Sequence, residues 1–129
     1  MSGNLMRIVI SLVLVAVTTF LGYWLVLDER KHSQAIAYNE RGNVLSELKR
    51  YDEAIEHYQQ AITFDSGFAK AHNNLGSTLA QQGRFEEAAE HFEKTINIDP
   101  NYIDARKNLE LAQSLAGKKV NTPIRQEIR

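Results

Sequence analysis

Apolar positions occur first as one unbroken run and then at helical spacing. Ile8 to Leu27 contains no charged residue, and only Ser11, Thr18, Thr19 and Gly22 interrupt its apolar character. Twenty helical residues rise about 30 Å, the thickness of a bilayer's hydrocarbon core. Tyr23 and Trp24 stand near one end, where amphipathic rings favour the interface, and Asp28-Glu29-Arg30-Lys31 closes the run. The pattern predicts a transmembrane helix over 8–27 behind a short tail, 1–7. A cleaved secretory signal is the rival reading, but its apolar core spans about 7–15 residues and ends in small residues. Here the run is longer and leaves through Tyr-Trp-Leu-Val-Leu-Asp, which favours an uncleaved single-pass anchor. No proline interrupts Ile8 to Leu48, so the junction 28–34 is predicted to be helical and to lead into the next element without a break.

Beyond the junction, apolar and small residues recur every three or four positions. Tyr38, Gly42 and Leu45 form one set; Ala54, Tyr58, Ala61 and Ile62 another; Leu75, Gly76 and Leu79 a third; Ala88, Phe92 and Ile96 a fourth. These sets predict helices over about 35–48, 51–64, 69–82 and 85–98, with turns at Lys49-Arg50 and Gly83. The pattern also repeats: a shift of 34 lays Ala35–Phe68 on Ala69–Tyr102 with twelve identities, among them Gly42/Gly76, Ala54/Ala88, His57/His91 and Asp65/Asp99. A period of this length marks a stacked array of helical hairpins. Gly42 and Gly76 fall mid-helix, where glycine costs about 1 kcal/mol against alanine. That cost is expected where two helices cross too closely for a side chain. Ala105 and Leu109 continue the register from Ala71 and Leu75, so 103–116 is predicted to be a capping helix ended by Gly117. Residues 117–129, with Pro123 and four basic side chains, are predicted to be a disordered basic tail.

These residues resemble the tetratricopeptide repeat. Its pattern of aromatic, Leu-Gly, aromatic, Ala, aromatic, Ala and Pro is matched by Leu75, Gly76, Leu79, Phe85, Ala88, Phe92 and Pro100 in the second repeat, 69–102. The first repeat, 35–68, supplies Tyr38, Gly42, Leu45, Tyr51, Ala54, Tyr58 and Ala61. It departs at Arg41, where the family has Leu, at Lys49, where it has the turn Gly, and at Ser66, where it has Pro. The second repeat departs at His72 and Thr95. The resemblance implies an all-α fold: an N-terminal transmembrane helix, two helix–turn–helix repeats and a C-terminal cap. It also implies that the first helix of each repeat lines a groove for a partner protein or peptide. Carried onto this chain, the groove residues are Asn39, Asn43, Ser46, Lys70, Asn73, Asn74, Ser77, Gln81 and Asn108. Asn offers both donors and acceptors, as a peptide backbone does. The family's clamp for a C-terminal carboxylate is matched at Asn43 and Asn74 only. Asn39, Asp104 and Asn108 stand where it has Lys, Lys and Arg.

Charge sharpens this picture. Residues 35–116 carry eight basic and thirteen acidic side chains, a poor surface for nucleic acid, which needs clustered Lys and Arg. There is no cysteine, so disulfides, thiolate metal sites and cysteine nucleophiles are excluded. His57 and His91, one period apart, lack the further ligands that a metal site needs, and Ser46/Lys49 match S-x-x-K without a second motif. No nucleophile–base pair can be assembled, so neither catalysis nor a cofactor is expected. The expected function is a membrane-anchored docking or assembly module. The alternative is a scaffold that self-associates, with Thr18 and Gly22 as a small-xxx-small contact. Arg7 on one side of the apolar run and Arg30, Lys31 and Arg41 on the other do not choose which side of the membrane carries the repeats.

Overall fold

The computed structural model describes residues 2–120; Met1 of the predicted tail and residues 121–129 of the predicted basic tail lie outside the described residues. Five helices and no strand appear among the described residues: α1 (Ser2–Glu47), α2 (Tyr51–Phe64), α3 (Ala69–Gln81), α4 (Phe85–Ile98) and α5 (Ile103–Val120). The all-α class expected from the apolar periodicity is what the chain adopts. Internal contacts divide it into two units, Met1–Ser33 and Gln34–Arg129.

The first unit is the apolar part of α1. Its most apolar 18-residue window has a mean hydropathy of 2.3, and none of that window is buried within the protein. The hydroxyls of Thr18 and Thr19 donate to the Val15 carbonyl at 3.0 and 2.9 Å, so both polar side chains are satisfied within the helix. The segment is long and apolar enough to cross a bilayer.

The second unit is built from helical hairpins whose interior is small-on-large packing. Ala54, Ile55, Tyr58, Leu75, Leu79, Ala88, Phe92 and Ala112 form the main buried cluster, and Ala35, Ala61 and Ala71 form a second. The mid-helix glycines explain themselves here. A Cβ on Gly42 would lie 2.5 Å from Tyr58 Cε1, and one on Gly76 would lie 2.9 Å from Phe92 Cε1 and 3.1 Å from the Ala88 carbonyl oxygen. Each glycine is the space into which the aromatic of its own repeat's second helix fits.

The two turns inside the repeats are superimposable in their hydrogen bonds. The Arg50 N–H donates to the Leu45 carbonyl at 2.9 Å, and the Arg84 N–H to the Leu79 carbonyl at 3.0 Å. Such a helix end needs one residue with positive φ. Gly83 supplies it at 75°, and Lys49 at 59°. The recurring aspartates shape the connections that follow: Asp65 Oδ1 accepts from the Gly67 N–H and Asp99 Oδ1 from the Asn101 N–H, both at 3.0 Å. One boundary differs from expectation. The cap was expected to stop at Gly117, but α5 runs to Val120. Glycine in an exposed helix costs only about 1 kcal/mol, too little to end it.

Candidate functional site

Three helices, α1, α3 and α5, begin the successive repeats, and their equivalent positions are related by the 34-residue shift. At the α1–α3 seam the polar residues close on one another. Asn74 Nδ2 donates to Asn39 Oδ1 and Asn43 Oδ1, both at 3.0 Å, which spends both of its N–H groups. Asn43 Oδ1 also accepts from the Tyr58 hydroxyl at 3.0 Å. Burial pushes the Tyr58 pKa above its ordinary value, so the phenol stays protonated and keeps donating. Glu40 gathers the outer edge: it accepts from Asn39 at 3.5 Å and Asn43 at 3.4 Å, and Lys70 Nζ lies 3.7 Å from its carboxylate. Ser46 Oγ and Thr78 Oγ1 meet at 3.4 Å, and Thr78 donates to the Asn74 carbonyl at 3.0 Å.

The α3–α5 seam carries the same positions and leaves them open. Asn73 and Asn108 correspond to Asn39 and Asn74. Asn108 makes no hydrogen bond among the described residues, and Asn73 Oδ1 is buried without a partner. Asn108, but not Asn73, borders a cleft of about 270 Å³ with Ala80, Phe85, Phe92, Leu111, Ala112 and Leu115 as its apolar lining, and Ser77, Gln81 and Asn108 at its polar edge. Ser77 donates to the Asn73 carbonyl at 3.0 Å, which leaves its hydroxyl oxygen free to accept.

The expected groove residues therefore separate into two groups. Ser77, Gln81 and Asn108 come together around one cleft. Asn39, Asn43 and Asn74 come together in a hydrogen-bonded seam, with Lys70 and Ser46 at its edges. Asn39 is fully buried and Asn73 is 9 % exposed, so neither presents a free amide to the surface as expected. Asn39 faces the neighbouring repeat, where Asn74 donates to it, and Asn73 does not line the cleft. The sequence reading missed Leu111 and Leu115, although the signal was present: they stand one period after Ser77 and Gln81, so the groove turns apolar at its last helix.

A second polar contact ties α3 to α4. His72 Nε2 lies 3.1 Å from the Ser66 carbonyl, which can only accept, so His72 donates there. Its Nδ1 is then the acceptor for the Nδ1–H of His91 at 3.2 Å. The ring centres are 5.5 Å apart, a ring radius at each end beyond the nitrogen separation, so the nitrogens meet head-on. Burial, then Lys94 and His72, lower the His91 pKa to about 4, and burial is the main cause that lowers that of His72. No group of three or more His, Cys, Asp or Glu that could hold a metal lies among the described residues.

Comparison with known proteins matches these elements. Residues 69–102 match the family model described as tetratricopeptide repeat, and 42–83 match one described as TPR repeat. The structure resembles the second TPR of Spaghetti (RPAP3) bound to the HSP90 peptide SRMEEVD. That match has a TM-score of 0.68 at 28% identity and covers 70% of this chain and 83% of the other. The second TPR domain of human RPAP3, in complex with the HSP70 peptide SGPTIEEVD, matches at 30% identity with a TM-score of 0.66, over 68% of this chain and 73% of that one. MamA matches at 31% identity and a TM-score of 0.64, over 67% of this chain but 47% of the other. Among proteins of curated function, none matches significantly.

Proposed function

The chain belongs to the tetratricopeptide repeat family, and we propose that it is a bilayer-anchored docking module that holds an extended segment of a partner protein in the cleft between α3 and α5. The open Asn108 amide at the edge of that cleft carries this reading. Asn108 lines that cleft and makes no hydrogen bond among the described residues, so its amide has both a donor and an acceptor to offer a peptide backbone. The adjoining cleft, with an apolar floor and amide rim, suits one apolar side chain beside a peptide backbone. Residues 8–27 of α1 hold the module at the membrane.

The two RPAP3 domains bind peptides that end in EEVD. In this chain the one groove lysine expected from the sequence, Lys70, is drawn to Glu40, and Asn39, Asp104 and Asn108 stand where the carboxylate clamp has basic residues. The ligand proposed here is accordingly neutral with an apolar anchor. In-cell crosslinking from a photoreactive residue at Gln81 tests it, with alkaline extraction of membranes to test the anchor. One captured protein, lost on Leu111→Asp or Leu115→Asp, is the expected result. Retention of that crosslink in both variants, or preferential binding of an acid-ended peptide, contradicts the reading.

A further inference from the structure

We infer that the outer face of α1 within the repeat domain, formed by Ala37, Arg41 and Val44 with Leu48 just past the helix end, is a second docking surface, separate from the groove, that takes one amphipathic helix bearing a carboxylate opposite Arg41. The repeat register makes the case. A shift of 34 carries these four positions onto Ala71, Leu75, Thr78 and Gln82. There the face is covered by α2: Ala71 clusters with Ala61, Leu75 shares the core with Ile55 and Tyr58, and Gln82 Nε2 donates to Asp52 Oδ1 at 2.7 Å. Leu75 and Thr78 are each 1 % exposed, whereas Val44 is 56 % and Leu48 62 % exposed. Beside Val44 an open cleft of about 410 Å³ reaches Leu45 and His57, and His57 Nδ1 is buried without a partner.

The two ends of the array differ in kind. At α5, Arg106, Glu110 and Gln113 occupy the positions of His72, Gly76 and Leu79, and all three are exposed. That is the polar outer face a solvated end requires. On α1 the trend is reversed, since bare Val44 and Leu48 replace covered Thr78 and Gln82. At the Val44–Leu48 end the face is more apolar where bare than where covered, which marks an interaction surface.

The occupant's chemistry follows from the same comparison. Asp52 at the start of α2 meets Gln82 at the end of α3, and Ala61 late in α2 meets Ala71 early in α3, so the covering helix runs antiparallel. On α1 the chemistries are exchanged: Leu48 replaces Gln82, and Arg41 replaces Leu75. Arg41 lies 5.6 Å from the Tyr38 ring centre and has no carboxylate partner among the described residues. These two positions are seven residues apart, about two helical turns. The occupant is therefore a helix like α2 with an apolar residue in place of Asp52 and a carboxylate two turns later, in place of Gln59. A second copy presenting the same face would instead bring two Arg41 guanidiniums into one small interface, which disfavours it.

The probe is a helix-stapled peptide of the Tyr51–Phe64 sequence carrying Asp52→Leu and Gln59→Glu, measured by fluorescence anisotropy on the full chain in nanodiscs. It should bind at least tenfold more tightly than the unaltered α2 peptide. Val44→Glu on the protein should weaken it at least tenfold, and Gln81→Ala in the groove should not change it. Arg41→Glu should weaken it likewise and be rescued by a peptide with Lys at the second altered position. Equal binding of the two peptides, absence of saturable binding, or insensitivity to Val44→Glu overturns the proposal. Two further outcomes also overturn it. Lipid-borne nitroxides quenching a label at Val44→Cys with no peptide protection would assign the face to the bilayer. Disulfide dimers through that cysteine would assign it to a second copy.

Discussion

Replacing Lys49 with glycine should stabilise the first repeat. Lys49 adopts φ 59°, in the left-handed region, because the chain must turn there for the Arg50 N–H to reach the Leu45 carbonyl. A residue with a Cβ in that conformation is disfavoured by about 1–2 kcal/mol. Glycine removes that term but loses more backbone freedom on folding, about 0.5–1 kcal/mol. The net expectation is a gain of about 0.5–1 kcal/mol. Nothing is lost in exchange: the Lys49 N–H that bonds the Ser46 carbonyl at 2.9 Å is kept by glycine, and no side-chain bond of Lys49 occurs among the described residues.

The same turn one period later is the internal control. Gly83 has φ 75° and an equivalent hydrogen-bond pattern, and a Cβ there would meet nothing within 4 Å. Space is not the constraint, so Gly83→Lys should lose about what Lys49→Gly gains. Thermal and urea unfolding of the full chain in detergent micelles measures both. A domain of this size moves about 4–8 °C per kcal/mol, so each variant should shift by a few degrees, in opposite directions. Lys49→Asn should fall between wild type and Lys49→Gly, since Asn tolerates the left-handed region better than Lys. If Lys49→Gly were neutral or destabilising while Gly83→Lys cost nothing, backbone strain at this turn would not be the controlling quantity.

Gly42→Ala should destabilise despite the better helix propensity of alanine. The Cβ would meet Tyr58 carbons at 2.5 and 2.7 Å, and overpacking of about 1–3 kcal/mol outweighs a propensity gain of about 1, as unfolding midpoints will show. The His72–His91 pair should make the domain acid-sensitive. His91 has a folded pKa near 4, below the unfolded value of about 6.5, so the unfolded chain binds the extra proton, and stability should fall as pH drops from about 6.5 towards 4. His91→Gln should flatten that part of the urea-midpoint profile. Asn74→Leu and Asn73→Leu should act oppositely. The first strands the buried Asn39 acceptor and should cost about 1–3 kcal/mol; the second removes a buried acceptor that already lacks a donor and should stabilise.

The packing residues were legible in the sequence because helix geometry forces their spacing. Gly42 must face Tyr58, and Gly76 must face Phe92, so the small–aromatic pairs recur with the period of the fold. The reach of α5 past Gly117 was not legible, because a single exposed glycine is too small a cost to stop a helix. The fate of each asparagine was not legible either. Asn39 and Asn73 occupy equivalent positions and share a residue type, yet one is satisfied and the other is not. What separates them is a partner one helix away, which local pattern does not record. His72 and His91 met for a similar reason: the counterpart positions hold Tyr38 and His57, whose rings are 5.8 Å apart, so the site is a ring-on-ring contact that chance made into a nitrogen-to-nitrogen one.

The two seams differ because equivalent positions of one repeat design hold different residues. At the first seam Asn74 finds two carbonyl acceptors, Asn39 and Asn43, and the hydroxyl of Tyr58 completes the set. Moved one period on, the acceptors become Asn73 and Ser77, but Ser77 has no amide carbonyl to offer and turns its hydroxyl back onto its own helix. Asn108 therefore loses the second acceptor that would fix its orientation. Leu111 and Leu115 replace Ser77 and Gln81 on the following helix, so the space beside Asn108 is apolar and open. A single change at each equivalent position thus turns a closed polar zipper into an unspent amide, Asn108, beside an apolar cleft. On the proposed reading, the amide holds a peptide by its backbone and the apolar cleft by one side chain.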